Sequence, residues 1–351
     1  MTPGPPARDN RPLGDCSQRP ERAARAVAAL APLTTLRLGG PADRLVEAHS
    51  EHELAELAPE AALILAGGSN VVIADEGVRG TVVQIKTTGI AHAQDLLVVQ
   101  AGEPWDGVVE YAVTNRLQGF ECLSGIPGST GATPIQNVGA YGQEVAETVQ
   151  WVRVLDRATG RIETMAASEC GFGYRTSVFK YHDRRVVLAV AFKLRRSPLS
   201  GPLRYAELAR TLDVPVGGQA PLDDVRAAVL QLRRRKGMVI DPDDPDSVSA
   251  GSFFTNPILP ADAVPDGAPM WPEPDGRVKT SAAWLIERSG FGRGHGSGPA
   301  GISTKHTLAL VNRGGATTAE LMALAHEIAA AVTARFGVDL HPEPVLVGHQ
   351  W

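Results

Sequence analysis

Residues 124–142 read SGIPGSTGATPIQNVGAYG. Positions 125–142 hold five glycines and two prolines, a composition that sustains neither a helix nor a central strand. Yet Ile126, Ile135, Val138 and Tyr141 make the stretch too apolar for a linker. An apolar, glycine-rich segment of this length suggests backbone wrapped around something large and flat, and its length disfavours a plain surface loop. Gln136 and Asn137 offer amides able to read the edge of a heteroaromatic ring.

Upstream, Ala66-Gly67-Gly68-Ser69-Asn70 stands between apolar runs at 62–65 and 71–74. Such a turn presents consecutive backbone N–H groups and lets an anion approach closely. A strand pattern follows it as well as precedes it, so it is neither a P-loop nor a Rossmann turn. By itself it also fits an ordinary hairpin. Downstream, Arg175 in Phe172-Gly173-Tyr174-Arg175 offers a planar fork for a carboxylate, with a surface ion pair as the plainer reading. Arg233 to Lys236 could hold a diphosphate or simply complement the negative end of a helix. Ser252 lies in Ala250-Gly251-Ser252-Phe253-Phe254-Thr255-Asn256-Pro257, where a turn or cap would explain it equally. Glu343 stands between two prolines near the chain end. The GSGPAG run at 296–301 imitates a dinucleotide fingerprint, but no strand precedes it and Pro299 interrupts it. His49 and His52 lack a third ligand, so no metal site is expected.

The chain has 351 residues and a net charge of −5, which suggests two domains and gives no overall pull toward nucleic acid or anionic membrane. Its three cysteines form no CxxC pair, consistent with a reducing cytoplasm, and no run approaches a membrane span. Residues 1–25, with five prolines and five arginines, read as a disordered tail. Between 35 and 194 short β-rich runs dominate, at 62–66, 71–74, 82–85, 96–100, 149–155 and 186–194. Helical patterns fall at 51–57, 105–115, 223–235, 281–289 and 320–336, with Gly337 as a stop, and 308–311 reads as a strand. The class is α+β.

Taken together, the segments TTLRLGGPAD, LAGGSNVVIAD, GIPGSTGATPIQNVGAYG, ECGFGYRTSVFK, AGSFFTNP, KTSAAWLIERSG and the terminal PEP resemble the UDP-N-acetylenolpyruvoylglucosamine reductase family, over about residues 34–348. The resemblance implies an FAD-binding domain of the vanillyl-alcohol-oxidase type, followed by a smaller α+β substrate-binding domain. The expected bounds are 26–200 in two lobes, rejoined by 337–351, with 201–336 between. It implies non-covalent FAD and NADPH as co-substrate. Hydride would pass from NADPH to FAD, then from flavin N5 to the enolpyruvyl group of the sugar nucleotide. Gly67, Gly68, Ser69 and Asn70 would hold the pyrophosphate. Gly125, Ile126, Pro127, Gly128, Thr133, Gln136, Asn137 and Gly139 would line the cofactor. Arg175 and Glu343 would stabilise the enolate and Ser252 would protonate it. Tyr205, Arg233, Lys236 and Asn256 would bind substrate, with Tyr205 on a loop that marks a subgroup. A monomer with a small-molecule substrate is expected. His306, where the family usually has another polar residue, is left without a role. The rival readings are an oxygen-using FAD oxidase of the same fold and a non-catalytic nucleotide-binding regulator.

Overall fold

Strands Pro41–Ala48 and Val78–Ile85 pair in parallel, and Leu63–Leu65 lies parallel on the far side of Val78–Ile85. Parallel neighbours need a crossover. Helix α1 (Glu51–Leu57) lies in the connection from Pro41–Ala48 to Leu63–Leu65. Ser50 caps it, its Oγ accepting from the Glu53 N–H at 3.2 Å, and Leu54 faces the core. The computed structural model describes residues 28–351; the tail expected over residues 1–25 lies outside them. Residues 67–70 follow Leu63–Leu65 after Ala66 and lead into Val71–Ile73. That strand takes a partner from the far end of the chain, Val345–Val347, in parallel.

The second lobe is an antiparallel sheet in the order Ile162–Ala166, Val149–Asp156, Arg185–Lys193, Leu96–Gln100, Ile90–Ala93. RVVLAVAFK at Arg185–Lys193 is a continuous apolar run rather than an alternating one, the mark of a strand covered on both faces. Every residue between its first and last is buried. Phe192 packs against Trp105 and Phe120, with ring centroids 5.8 and 4.8 Å away. Trp105 opens helix α2 (Trp105–Thr114), and its N–H donates to Gly128 O at 3.0 Å. The core therefore reaches into the glycine-rich segment through one backbone bond.

Helices α3 (Ala206–Thr211) and α4 (Leu222–Arg235) build a small core of their own around Cys122, Leu208, Val225 and Val229. Asp106 of α2 ties α4 to the glycine-rich segment. It accepts from both terminal nitrogens of Arg226 at 2.7 and 3.0 Å, and from the Gly125 N–H at 2.6 Å. Burial pushes the Asp106 carboxyl up, but these bonds outweigh it and hold the group below the usual carboxylate range.

The C-terminal unit packs α5 (Ala282–Arg288) and α6 (Thr318–Phe336) against the sheet Ser249–Ser252, Ala309–Asn312, Ala300–Ile302. Thr317 and Glu320 form a capping box, and Gly337 ends α6 at φ +66°, the left-handed conformation that favours glycine. Asp75, from the first lobe, accepts from the Thr318 and Ala319 N–H groups at 2.8 and 2.9 Å, where a negative charge suits the helix start. Leu321, Ile328 and Val332 bury against Leu36, Leu38, Phe253 and Phe254. Among the described residues, no helix is long and apolar enough to cross a membrane, and no group of three or more His, Cys, Asp or Glu could hold a metal.

Candidate functional site

A cleft of about 510 Å³, a size typical of small-molecule sites, opens where these units meet. Gly67, Gly68, Ser69 and Asn70 line one part of it, together with Ile126, Pro127, Thr133, Gln136 and Gly139 from the long glycine-rich segment. The two loops touch. A Cβ on Gly67 would fall 2.6 Å from Gly128 Cα, and one on Gly128 would fall 2.5 Å from Ser69 Oγ. Thr35 stitches them to the C-terminal unit, its Oγ1 donating to Ser249 O at 2.6 Å. Asn70 donates from Nδ2 to Gln136 Oε1 at 2.5 Å and to Glu343 O at 3.3 Å.

Whether these residues fit FAD can be judged from the donors they leave free. Among the described residues, the N–H groups of positions 67–70 donate to no other protein group. Such a row of free amides suits a pyrophosphate. Arg233 Nε is likewise buried without a protein partner, in a side chain that lines the cleft. A row of free amides beside a largely apolar lining fits the pyrophosphate and ring system of the cofactor, and leaves the Arg233 donor for a second anion.

Arg175, Ser252 and Glu343 come from three distant segments and all line the cleft. Local backbone pairing explains their meeting. The Phe253 N–H donates to Leu308 O at 2.7 Å, and the Glu343 N–H donates to Phe253 O at 2.8 Å. Buried Phe253 and Phe254 thus set Ser252 beside Glu343. Arg175 Nε lies 3.3 Å from Glu343 Oε1, and an Arg175 terminal nitrogen donates to Gly139 O at 2.7 Å. Arg175 has φ +51°, a left-handed conformation that costs a non-glycine residue roughly 1–2 kcal/mol. Burial pushes the Glu343 carboxyl up, against the opposing pull of Arg175 and Lys180.

Tyr205, Arg233 and Lys236 also line the cleft. Lys236 Nζ donates to Glu207 Oε2 at 2.7 Å and lies 5.5 Å from the centre of the Tyr141 ring. That ring meets Tyr205 edge-on at 5.3 Å. Arg233 donates to Met238 O at 2.7 Å, the helix-end role that its position suggests, and burial pushes its guanidinium down to about 10.

Four expected residues stand behind the cleft lining rather than in it. Gly125 and Gly128 are backbone devices, at φ +71° and +113°. The Asn137 side-chain amide has protein partners. Its Nδ2 donates to Glu144 Oε2 at 2.7 Å and Gly173 O at 3.0 Å, and its Oδ1 accepts from the Ala146 N–H at 3.1 Å. The amide is consumed in holding three chain segments together. Asn256 faces the start of α5, its Oδ1 accepting from the Ala282 N–H at 3.0 Å.

Among the titratable lining residues, His306 and Lys180 were given no role by the sequence. His306 is held neutral, burial pushing its imidazole down to about 4. Lys180 is buried, and the signal was present: a lysine directly after Val178-Phe179, five positions beyond Arg175.

Residues 243–347 match the family model for the C-terminal domain of UDP-N-acetylenolpyruvoylglucosamine reductase, and residues 42–166 match an FAD binding domain. The UDP-N-acetylenolpyruvoylglucosamine reductase of Thermobifida fusca is 55% identical over 343 residues, 91% of this chain and 96% of that protein. Its counterpart from Salinispora arenicola is 58% identical over 338 residues, 90% of this chain and 93% of that protein. The crystal structure of the Thermus caldophilus enzyme superposes with a TM-score of 0.65 at 26% identity, covering 92% of this chain and 98% of that one. With two glycine loops, an Arg–Glu pair and a serine gathered on one cleft, and relatives matched along nearly their whole length, this chain belongs to the UDP-N-acetylenolpyruvoylglucosamine reductase family.

Proposed function

We propose that this chain is the NADPH-dependent flavoenzyme that reduces UDP-N-acetylglucosamine enolpyruvate to UDP-N-acetylmuramate for peptidoglycan precursors. The observation that carries the reading is the convergence of Arg175, Ser252 and Glu343 on the cleft floored by both glycine loops. When bound, FAD supplies the means to accept a hydride from NADPH and to deliver one to the enolpyruvyl double bond. Residues 67–70 hold its pyrophosphate and the segment from Ile126 to Gly139 lines its ring system. Arg175, its guanidinium fixed by Gly139 O and Glu343, holds the substrate carboxylate as negative charge builds beside it. Ser252 donates the proton to the carbon next to that carboxylate. Lys236 and Arg233 take the diphosphate, and Tyr205 closes over it as in the subgroup with a tyrosine-bearing loop. The reading includes non-covalent FAD, since residues 67–70 hold neither His nor Cys to attach it, and a cytoplasmic monomer, with the free buried thiols Cys122 and Cys170 fitting a reducing compartment.

The purified protein should be yellow, release its flavin into the supernatant on acid precipitation, and oxidise NADPH when the enolpyruvyl sugar nucleotide is added. Oxygen consumption without that substrate dependence would make it an oxidase and sink the reading.

Lys236→Ala should raise the KM for the sugar nucleotide or NADPH about 10- to 100-fold, the scale of a lost charged hydrogen bond. The effect should shrink as salt rises. A lower melting temperature with unaltered KM would instead leave Lys236 as a helix-end residue paired with Glu207.

A further inference from the structure

Lys180 is 5% exposed and lines the cleft beside the Arg175–Glu343 pair. A buried ammonium is costly unless something nearby needs it. Its Nζ donates to Arg175 O at 2.9 Å, so it grips the backbone of the very residue held at φ +51°. Lys180 is itself anchored. Its N–H donates to Ser177 O at 3.3 Å, and Ser177 Oγ donates to Ile135 O at 2.7 Å in the glycine-rich segment. Phe179, next to it, is buried at 3% exposure. Neither the roles implied by the family resemblance nor the proposed mechanism uses this cation.

The charge count around Glu343 gives it a purpose. The titratable groups facing Glu343 are Arg175, Lys180, Tyr174 and Tyr181, of which two are cations. Around Glu343 itself, Arg175 and Lys180 leave one positive charge in excess; Glu144, near Arg175, is engaged by Asn137 Nδ2 at 2.7 Å and takes up part of the Arg175 charge, which makes the Lys180 cation matter more. An incoming carboxylate is drawn to that excess. Without Lys180, Arg175 alone faces Glu343 and Glu144, and a bound carboxylate would be left in excess.

We infer that Lys180 is a positioning residue for the enolpyruvyl half-reaction: it locks the backbone of Arg175 and supplies the extra positive charge that lets the Arg175–Glu343 pair accept a carboxylate. The inference rests on the function proposed above. Removing the cation also leaves Glu343 with one fewer favourable neighbour, so its carboxyl would take up a proton at higher pH.

The test uses the flavin-loaded enzyme and begins with wild-type turnover on the enolpyruvyl sugar nucleotide; none at all would remove both the function and this role. With turnover established, Lys180→Met should leave NADPH oxidation in the first half-reaction within about twofold. It should slow the second about 10- to 100-fold, the scale for removing a support behind an active group. The acid limb of that second step should move to higher pH. Calorimetry gives a readout free of turnover. UDP-N-acetylmuramate, which carries the carboxylate, should bind about tenfold more weakly, while UDP-N-acetylglucosamine, which lacks it, should bind as before. Lys180→Arg should restore most of both effects. Should Lys180→Met lose its flavin, Lys180→Gln is read the same way. Equal weakening of the two nucleotides, or an unmoved acid limb, would make Lys180 a turn residue only and overturn the inference.

Discussion

Ser252→Ala should pass the first half-reaction at a near-normal rate and slow the second by about 10²- to 10⁴-fold, the range for loss of a positioned general acid. The asymmetry follows from where protons are needed. Hydride transfer from NADPH requires none from a hydroxyl at the substrate carbon. Reduction of the enolpyruvyl group creates a carbanion-like centre that must be quenched. Ser252 is well set for this. It ends Ser249–Ser252 in register with Ala309, it adjoins fully buried Phe253, and the next residue's carbonyl holds the Glu343 N–H. Ser252→Cys should recover part of the loss, since a thiol also donates a proton. Stopped-flow absorbance of the separate half-reactions decides. Equal slowing of both would make Ser252 a turn residue, and no slowing of either would place the acid elsewhere.

Gly68→Ala should abolish flavin retention. Gly68 has φ +61°, and a Cβ there would fall 1.9 Å from Leu33 O and 2.9 Å from Leu33 C, backbone atoms that cannot swing away. The left-handed conformation costs an alanine about 1–2 kcal/mol, and forced displacement of packed backbone adds roughly 1–3 kcal/mol. The contacts that would yield are those shaping the free amides of 67–70. Gly160→Ala is the matched control: φ is +69°, nothing lies within 4 Å of the added Cβ, and the residue is outside the cleft lining, so only the conformational cost remains. A yellow Gly68→Ala protein that melts like wild type would show that this loop does not shape the cofactor site.

Long elements with a plain period were legible in the sequence. The stripe expected at 320–336 is Thr318–Phe336, and the run at 186–194 is Arg185–Lys193. Pro41–Ala48 was not, because PADRLVEA neither alternates nor runs apolar; it is a strand by virtue of its parallel neighbour. The site was legible in parts. Glycine spacing marked both loops, since close backbone contact admits nothing larger. No spacing could bring Arg175, Ser252 and Glu343 together, because their approach depends on backbone pairing between segments far apart in the chain; the family resemblance supplied it. Gln136 and Asn137 are adjacent amides with the same chemistry. Only the turn at Asn137, φ +46°, decides that one faces the cleft and the other is spent inside the scaffold.

The parallel pairing of Val345–Val347 with Val71–Ile73 ties two remote stretches of the chain into one clasp. The Val345 N–H donates to Asn70 O at 3.0 Å, so residues 67–70 are braced by a strand that lies beyond the whole C-terminal unit in sequence. The first lobe does not supply that brace by itself. A fragment that stops before Val345 would keep both glycine loops and lose the clasp, and it should hold flavin less tightly than the full chain.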